Sequence, residues 1–164
     1  MLVRSYNKAF AMFNAELNPQ LHFIPANTST AVSLPLYSAK VGAGQSRFPS
    51  AAQDYEQEDL DLNKLVVSNP PATFYCRVSG DSMIDAGLHP NAIVSVDRSI
   101  IPKSGDVIVC ALDGELLIKR LSKRGQSIKL LSENEKKNYP PIVVKDGQDF
   151  IIWGVAAYVV HKIK

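Results

Sequence analysis

From Thr73 onward the chain falls into short stretches of strand pattern, alternating apolar and polar with a period of two at first and elsewhere apolar in short runs. In residues 73–79, Phe74, Cys76 and Val78 alternate with Thr73, Tyr75 and Arg77. Residues 93–96 are a short apolar strand. Val107–Leu112 and residues 115–121 flank Asp113-Gly114, a pair suited to the left-handed backbone of a two-residue hairpin turn. Ser127–Leu131 and residues 142–145 are weaker strands. Phe150–Val160 is a long apolar run broken by Gly154, a sign of a bulge or bend. Many short strands with few helical periods predict a mostly β body with a bent, partly closed sheet.

Before residue 73 the pattern is weaker. Phe10, Phe13 and Leu17 have the spacing of one helical face, and Asn18-Pro19 stops any such helix. Residues 32–37 are short, apolar and carry Pro35. Residues 38–50 hold two glycines and small side chains without periodicity, which predicts an exposed, flexible loop. Residues 51–69 suit an acidic-faced helix or turn, anchored by Leu60, Leu62, Leu65 and Val66 and ended by Pro70-Pro71. The chain thus divides into a flexible N-terminal arm, 1–50, and a β-rich body, 51–164, with Met12 a second candidate start.

Composition narrows the function classes. A length of 164 residues suits one domain plus an arm, and 46% hydrophobic with 21% charged residues suits a globular chain. A net charge of +2 is too small to argue for nucleic-acid binding. The basic stretch from Lys119 to Lys137 is interrupted by Glu133 and Glu135; it reads as a hairpin face, and direct DNA binding is not expected. Cys76 and Cys110 form no C-x-x-C pair, so two reduced core thiols are expected, with no metal and no cofactor. The N-terminus is neither a secretory signal nor a membrane span. A cytoplasmic protein without membrane contact is the expectation.

The candidate chemistry lies in Val78–Met83, V-S-G-D-S-M, where Ser82 follows a strand at a Gly80-Asp81 turn. A serine hydroxyl needs a base to attack at neutral pH. His22, His89 and His161 lie in no recognisable triad motif, although triads are assembled in space. The other candidate base is a neutral lysine, which requires apolar burial or a nearby positive charge. In a strand, Glu115, Leu117, Lys119 and Leu121 share one face while Ile118 and Arg120 share the other. Lys119 therefore sits between leucines, either as a base or snorkelling to the rim. Amides at the turn are placed to serve as oxyanion donors. The small residues around Ala43-Gly44, in a loop expected to be mobile, suit a narrow proteolytic cleft or a plain linker.

Together these stretches carry a resemblance. Ser79-Gly80-Asp81-Ser82-Met83, Asp85-Ala86-Gly87-Leu88, Val94-Ser95-Val96-Asp97, Gly105-Asp106-Val107-Ile108-Val109 and Asp113-Gly114-Glu115-Leu116-Leu117-Ile118-Lys119-Arg120-Leu121 resemble the LexA/UmuD family of self-cleaving Ser-Lys peptidases. The 37-residue separation of Ser82 and Lys119 matches the family's spacing. The resemblance runs from about Leu34 to the C-terminus, and is strongest to the accessory subunits of bacterial error-prone DNA polymerase V. It implies a signal-peptidase-like β fold, Ser82 as nucleophile and Lys119 as general base. It further implies an oxyanion hole from the backbone N–H groups of Asp81 and Ser82, and a scissile bond at Ala43-Gly44.

Implied partners are a second copy in a homodimer, a RecA filament on single-stranded DNA that stimulates the cut, and a UmuC-like polymerase subunit that the shortened form joins. About 19 to 20 residues precede the segment that matches the start of the polymerase V accessory subunits, too few for a LexA-type winged helix-turn-helix. Gln45-Ser46-Arg47 is inserted after Gly44 and lengthens the tether to Ser82 by three residues. The competing function class is a non-cleaving dimeric interaction or repressor-type module. A general signal peptidase needs a membrane anchor that this sequence does not supply.

Overall fold

The computed structural model describes residues 32–37 and 57–163. Two antiparallel strands, β1 (Ser33–Tyr37) and β2 (Gln57–Asp61), pair from Ser33↔Asp61 to Tyr37↔Gln57. A helix, α1 (Leu62–Val66), follows at once, and Asp61 caps it by accepting from the Asn63 amide at 2.9 Å. Of the acidic-faced helix or turn expected over 51–69, the described residues 57–69 hold a strand and a five-residue helix. Two of its expected anchors, Leu62 and Leu65, are exposed, and Val67 is buried instead. The polar run Q-E-D-L-D has little strand propensity of its own; its pairing with β1 decides its conformation.

The body is one seven-stranded sheet in the order β3-β4-β9-β5-β6-β7-β8, with every ladder antiparallel. Its strands are β3 (Thr73–Arg77), β4 (Ile93–Asp97), β5 (Val107–Leu112), β6 (Glu115–Arg124), β7 (Ser127–Leu131), β8 (Ile142–Val144) and β9 (Phe150–Val160). Each strand expected from residue 73 onward is present. Asp113 and Gly114 turn β5 into β6 with positive φ, 50° and 83°, the backbone that matches the twist of the paired strands.

Two apolar clusters cover the two faces of the sheet. Phe74, Met83, Val94, Val96 and Val109 belong to one, and Ile108, Cys110, Leu121 and Leu130 to the other. Successive residues of β5 thus enter opposite clusters, which is why V-I-V-C-A-L is apolar throughout rather than alternating. The register of β9 slips by one residue against β5, at Trp153, and again against β4, at Ala157. Such bulges bend a strand. A Cβ on Gly154 would lie 2.8 Å from Val96 Cγ1 and 2.9 Å from the Asp97 carbonyl. Close approach of β4, rather than an unusual φ, makes glycine necessary here.

Candidate active site

β3 ends at Arg77, and Gly80 then turns the chain with φ +80°. A Cβ there would meet nothing within 4 Å, so backbone conformation is what favours glycine. The turn carries Asp81 and Ser82 into a single 3₁₀ turn, Ile84–Ala86, and Met83 is buried beneath it. This buried methionine anchors the turn, and its neighbour Ser82 stays at the surface of a cleft of about 460 Å³. Cys76, Val78, Val109, Leu117 and Ile118 supply apolar walls, and Tyr139 borders it as well.

Lys119 enters the cleft from the middle of β6. Its Nζ donates to Ser82 Oγ at 2.5 Å. The side chain does not snorkel, since only 7% of the residue is exposed. Burial pushes the Lys119 ammonium below its ordinary range, opposed by the weaker pull of Cys110 and Glu115. Burial also pushes the Cys110 thiol up to about 12. That neighbour is uncharged at neutral pH and gives Lys119 little reason to keep its proton.

A segment absent from the sequence-based site holds the serine turn. After β7, Glu133 donates its amide to the Ser82 carbonyl at 2.8 Å and accepts from the Asp85 amide at 3.0 Å. Asn134 Nδ2 donates to the Asp81 carbonyl at 2.9 Å. Both oxygens of the Asp81 carboxylate are engaged, by Lys137 Nζ at 2.6 Å and by the Tyr139 hydroxyl at 2.5 Å. These bonds hold the Asp81 carboxyl below the usual carboxylate range. The Tyr139 ring centroid lies 5.8 Å from Lys119 Nζ. A signal was present in the sequence: residues 132–141 join two paired strands with far more chain than a hairpin needs.

The structure thus brings Ser82 and Lys119 together and adds Glu133, Asn134, Lys137 and Tyr139 around them. Ala43, Gly44 and His22 lie outside the described residues. His89 and His161 are exposed and face each other with ring centroids 5.1 Å apart, and neither lines the cleft. Cys76 and Cys110 are free thiols. No helix among the described residues is long and apolar enough to cross a membrane.

A half-buried serine hydroxyl in contact with a buried amine, lining a cleft in an antiparallel sheet, is an arrangement suited to acyl transfer. Known proteins give the class a family. The Peptidase S24-like family matches residues 35–157, and this chain belongs to it. It is 36% identical to Protein SamA of Salmonella typhimurium over 140 residues, 85% of this chain and 94% of that one. It is 35% identical to Protein MucA of Escherichia coli over 137 residues, 83% of this chain and 90% of that one. A LexA repressor of Caldicellulosiruptor saccharolyticus is 39% identical over 115 residues, covering 70% of this chain but 54% of the repressor. The resemblance to the UmuD branch of the LexA/UmuD family holds over most of the chain.

Proposed function

We propose that the chain is a self-cleaving serine endopeptidase that serves error-prone DNA synthesis after damage. The observation that carries this reading is the 2.5 Å contact between Lys119 Nζ and Ser82 Oγ at a buried amine. Neutral Lys119 takes the Ser82 proton, and Oγ attacks the carbonyl carbon of Ala43. The backbone N–H groups of Asp81 and Ser82 hold the oxyanion. Lys119 passes its proton to the departing Gly44 amine, leaving Ala43 esterified to Ser82. Water, deprotonated by Lys119, hydrolyses that ester and restores the serine. Tethering the loop to the site makes the attack effectively unimolecular.

The biological setting rests on the family and on the relatives' coverage of most of the chain. A RecA filament on single-stranded DNA selects the conformation in which the loop is docked, a population shift rather than new chemistry. The shortened homodimer then joins a UmuC-like polymerase subunit in SOS mutagenesis, in the cytoplasm. The test is made in cells. After DNA damage the wild-type chain should shorten, and Ser82→Ala should stay full length and abolish damage-induced mutagenesis. A wild-type chain that stays full length assigns the protein to the non-cleaving, repressor-type class instead.

A further inference from the structure

We infer that Glu133 is a positioning residue for the Ser82–Lys119 pair, acting through Arg120. The inference rests on the reading of that pair as catalytic. Arg120 directly follows Lys119 on β6 and points to the opposite face. Its guanidinium forks onto the Glu133 carboxylate, with Nε on Oε1 and Nη2 on Oε2, the latter at 2.8 Å. Its Nη1 donates to the Gly105 carbonyl at 2.8 Å. A planar fork with two parallel bonds fixes direction as well as distance. The main chain of the same Glu133 grips the nucleophile turn, through the Ser82 carbonyl and the Asp85 amide. One residue therefore ties the strand of the base to the turn of the nucleophile.

The rest of the turn depends on the same tie. The Asp81 carbonyl and carboxylate and the Asp85 carboxylate are bonded to Asn134, Glu135, Lys137 and Tyr139, all on the segment that Glu133 begins. The side chains of Arg120 and Glu133 are about one-third exposed, at 32% and 30%. An ion pair so placed adds little to stability. Its effect falls on geometry, where a displacement of about 1 Å costs on the order of a hundredfold in rate.

Self-cleavage of the purified full-length chain tests the inference across a range of pH. The variants are Glu133→Ala, Arg120→Ala, both together, and Ser82→Ala, each with its thermal midpoint. Each of the first two should slow cleavage by about tenfold to a hundredfold while the midpoint barely moves. The pair together should be no slower than the slower of the two, because both remove one tie. The rise of rate with pH should also shift upward, since Lys119 parted from the turn and opened to water regains more of its ordinary basicity.

Where Glu133→Ala melts early, Glu133→Gln keeps the volume and main chain and carries the same expectation. Rates within about twofold of wild type, or losses that multiply in the double variant, overturn the positioning role. Ser82→Ala is inactive in that case and the dyad reading stands. Ser82→Ala cutting at the wild-type rate overturns the dyad reading itself.

Discussion

Lys119 Nζ reaches Ser82 Oγ at 2.5 Å across 37 residues of chain, and it does so from a residue whose neighbours on the strand face are leucines. In the proposed mechanism the contact serves catalysis only when Lys119 is neutral, so that the serine O–H donates and the amine accepts. Burial lowers the Lys119 pKa, so the neutral fraction grows at a pH below the ordinary 10.5. Self-cleavage should therefore accelerate with rising pH, with the midpoint of the rise below that value. Lys119→Arg should be inactive across the range, because a guanidinium stays protonated. Cleavage timed by gel from pH 6 to 11 checks both outcomes.

The same buried amine costs stability. Below its folded pKa the lysine is charged in both states, and the folded state bears the desolvation cost. Between the folded pKa and 10.5 the unfolded chain binds more protons, so stability rises with pH. Above 10.5 the penalty is gone. Lys119→Met should thus melt higher than wild type at pH 7, by on the order of 2–4 °C, and the gap should close as pH approaches 10. Thermal unfolding of the two proteins in parallel at both pH values measures it.

Gly154 sets a steric limit at the centre of the sheet. Any Cβ there meets Val96 Cγ1 at 2.8 Å and the Asp97 carbonyl at 2.9 Å. The second of these is backbone and cannot rotate away. Gly154→Ala should destabilise the chain by about 1–3 kcal/mol, visible as a lower denaturant midpoint with an unchanged slope.

The sheet was legible because its strands announce themselves locally. Val107–Leu112, Ser127–Leu131 and Phe150–Val160 appear in the structure with the bounds read from the sequence. Asp113-Gly114 was legible for the same reason, since one dipeptide sets the backbone. Gln57–Asp61 was not, because its strand conformation comes from pairing with Ser33–Tyr37, a partner distant in sequence. Ser82 and Lys119 stood out as a pair through spacing and resemblance. Glu133 and Tyr139 did not, because they sit in an irregular polar segment whose importance lies in non-local bonds to Asp81, Ser82 and Arg120. Leu62 and Leu65 misled for the converse reason: leucines in a five-residue helix imply burial only if something packs on them, and both are exposed.

The central claim is that this chain cuts itself with Ser82 and Lys119. Its most direct test is incubation of purified wild type and Ser82→Ala at alkaline pH, followed by mass measurement of the products. Wild type should yield a fragment beginning at Gly44 while Ser82→Ala remains intact. Equal cleavage of the two proteins, or an intact wild type at every pH, contradicts it.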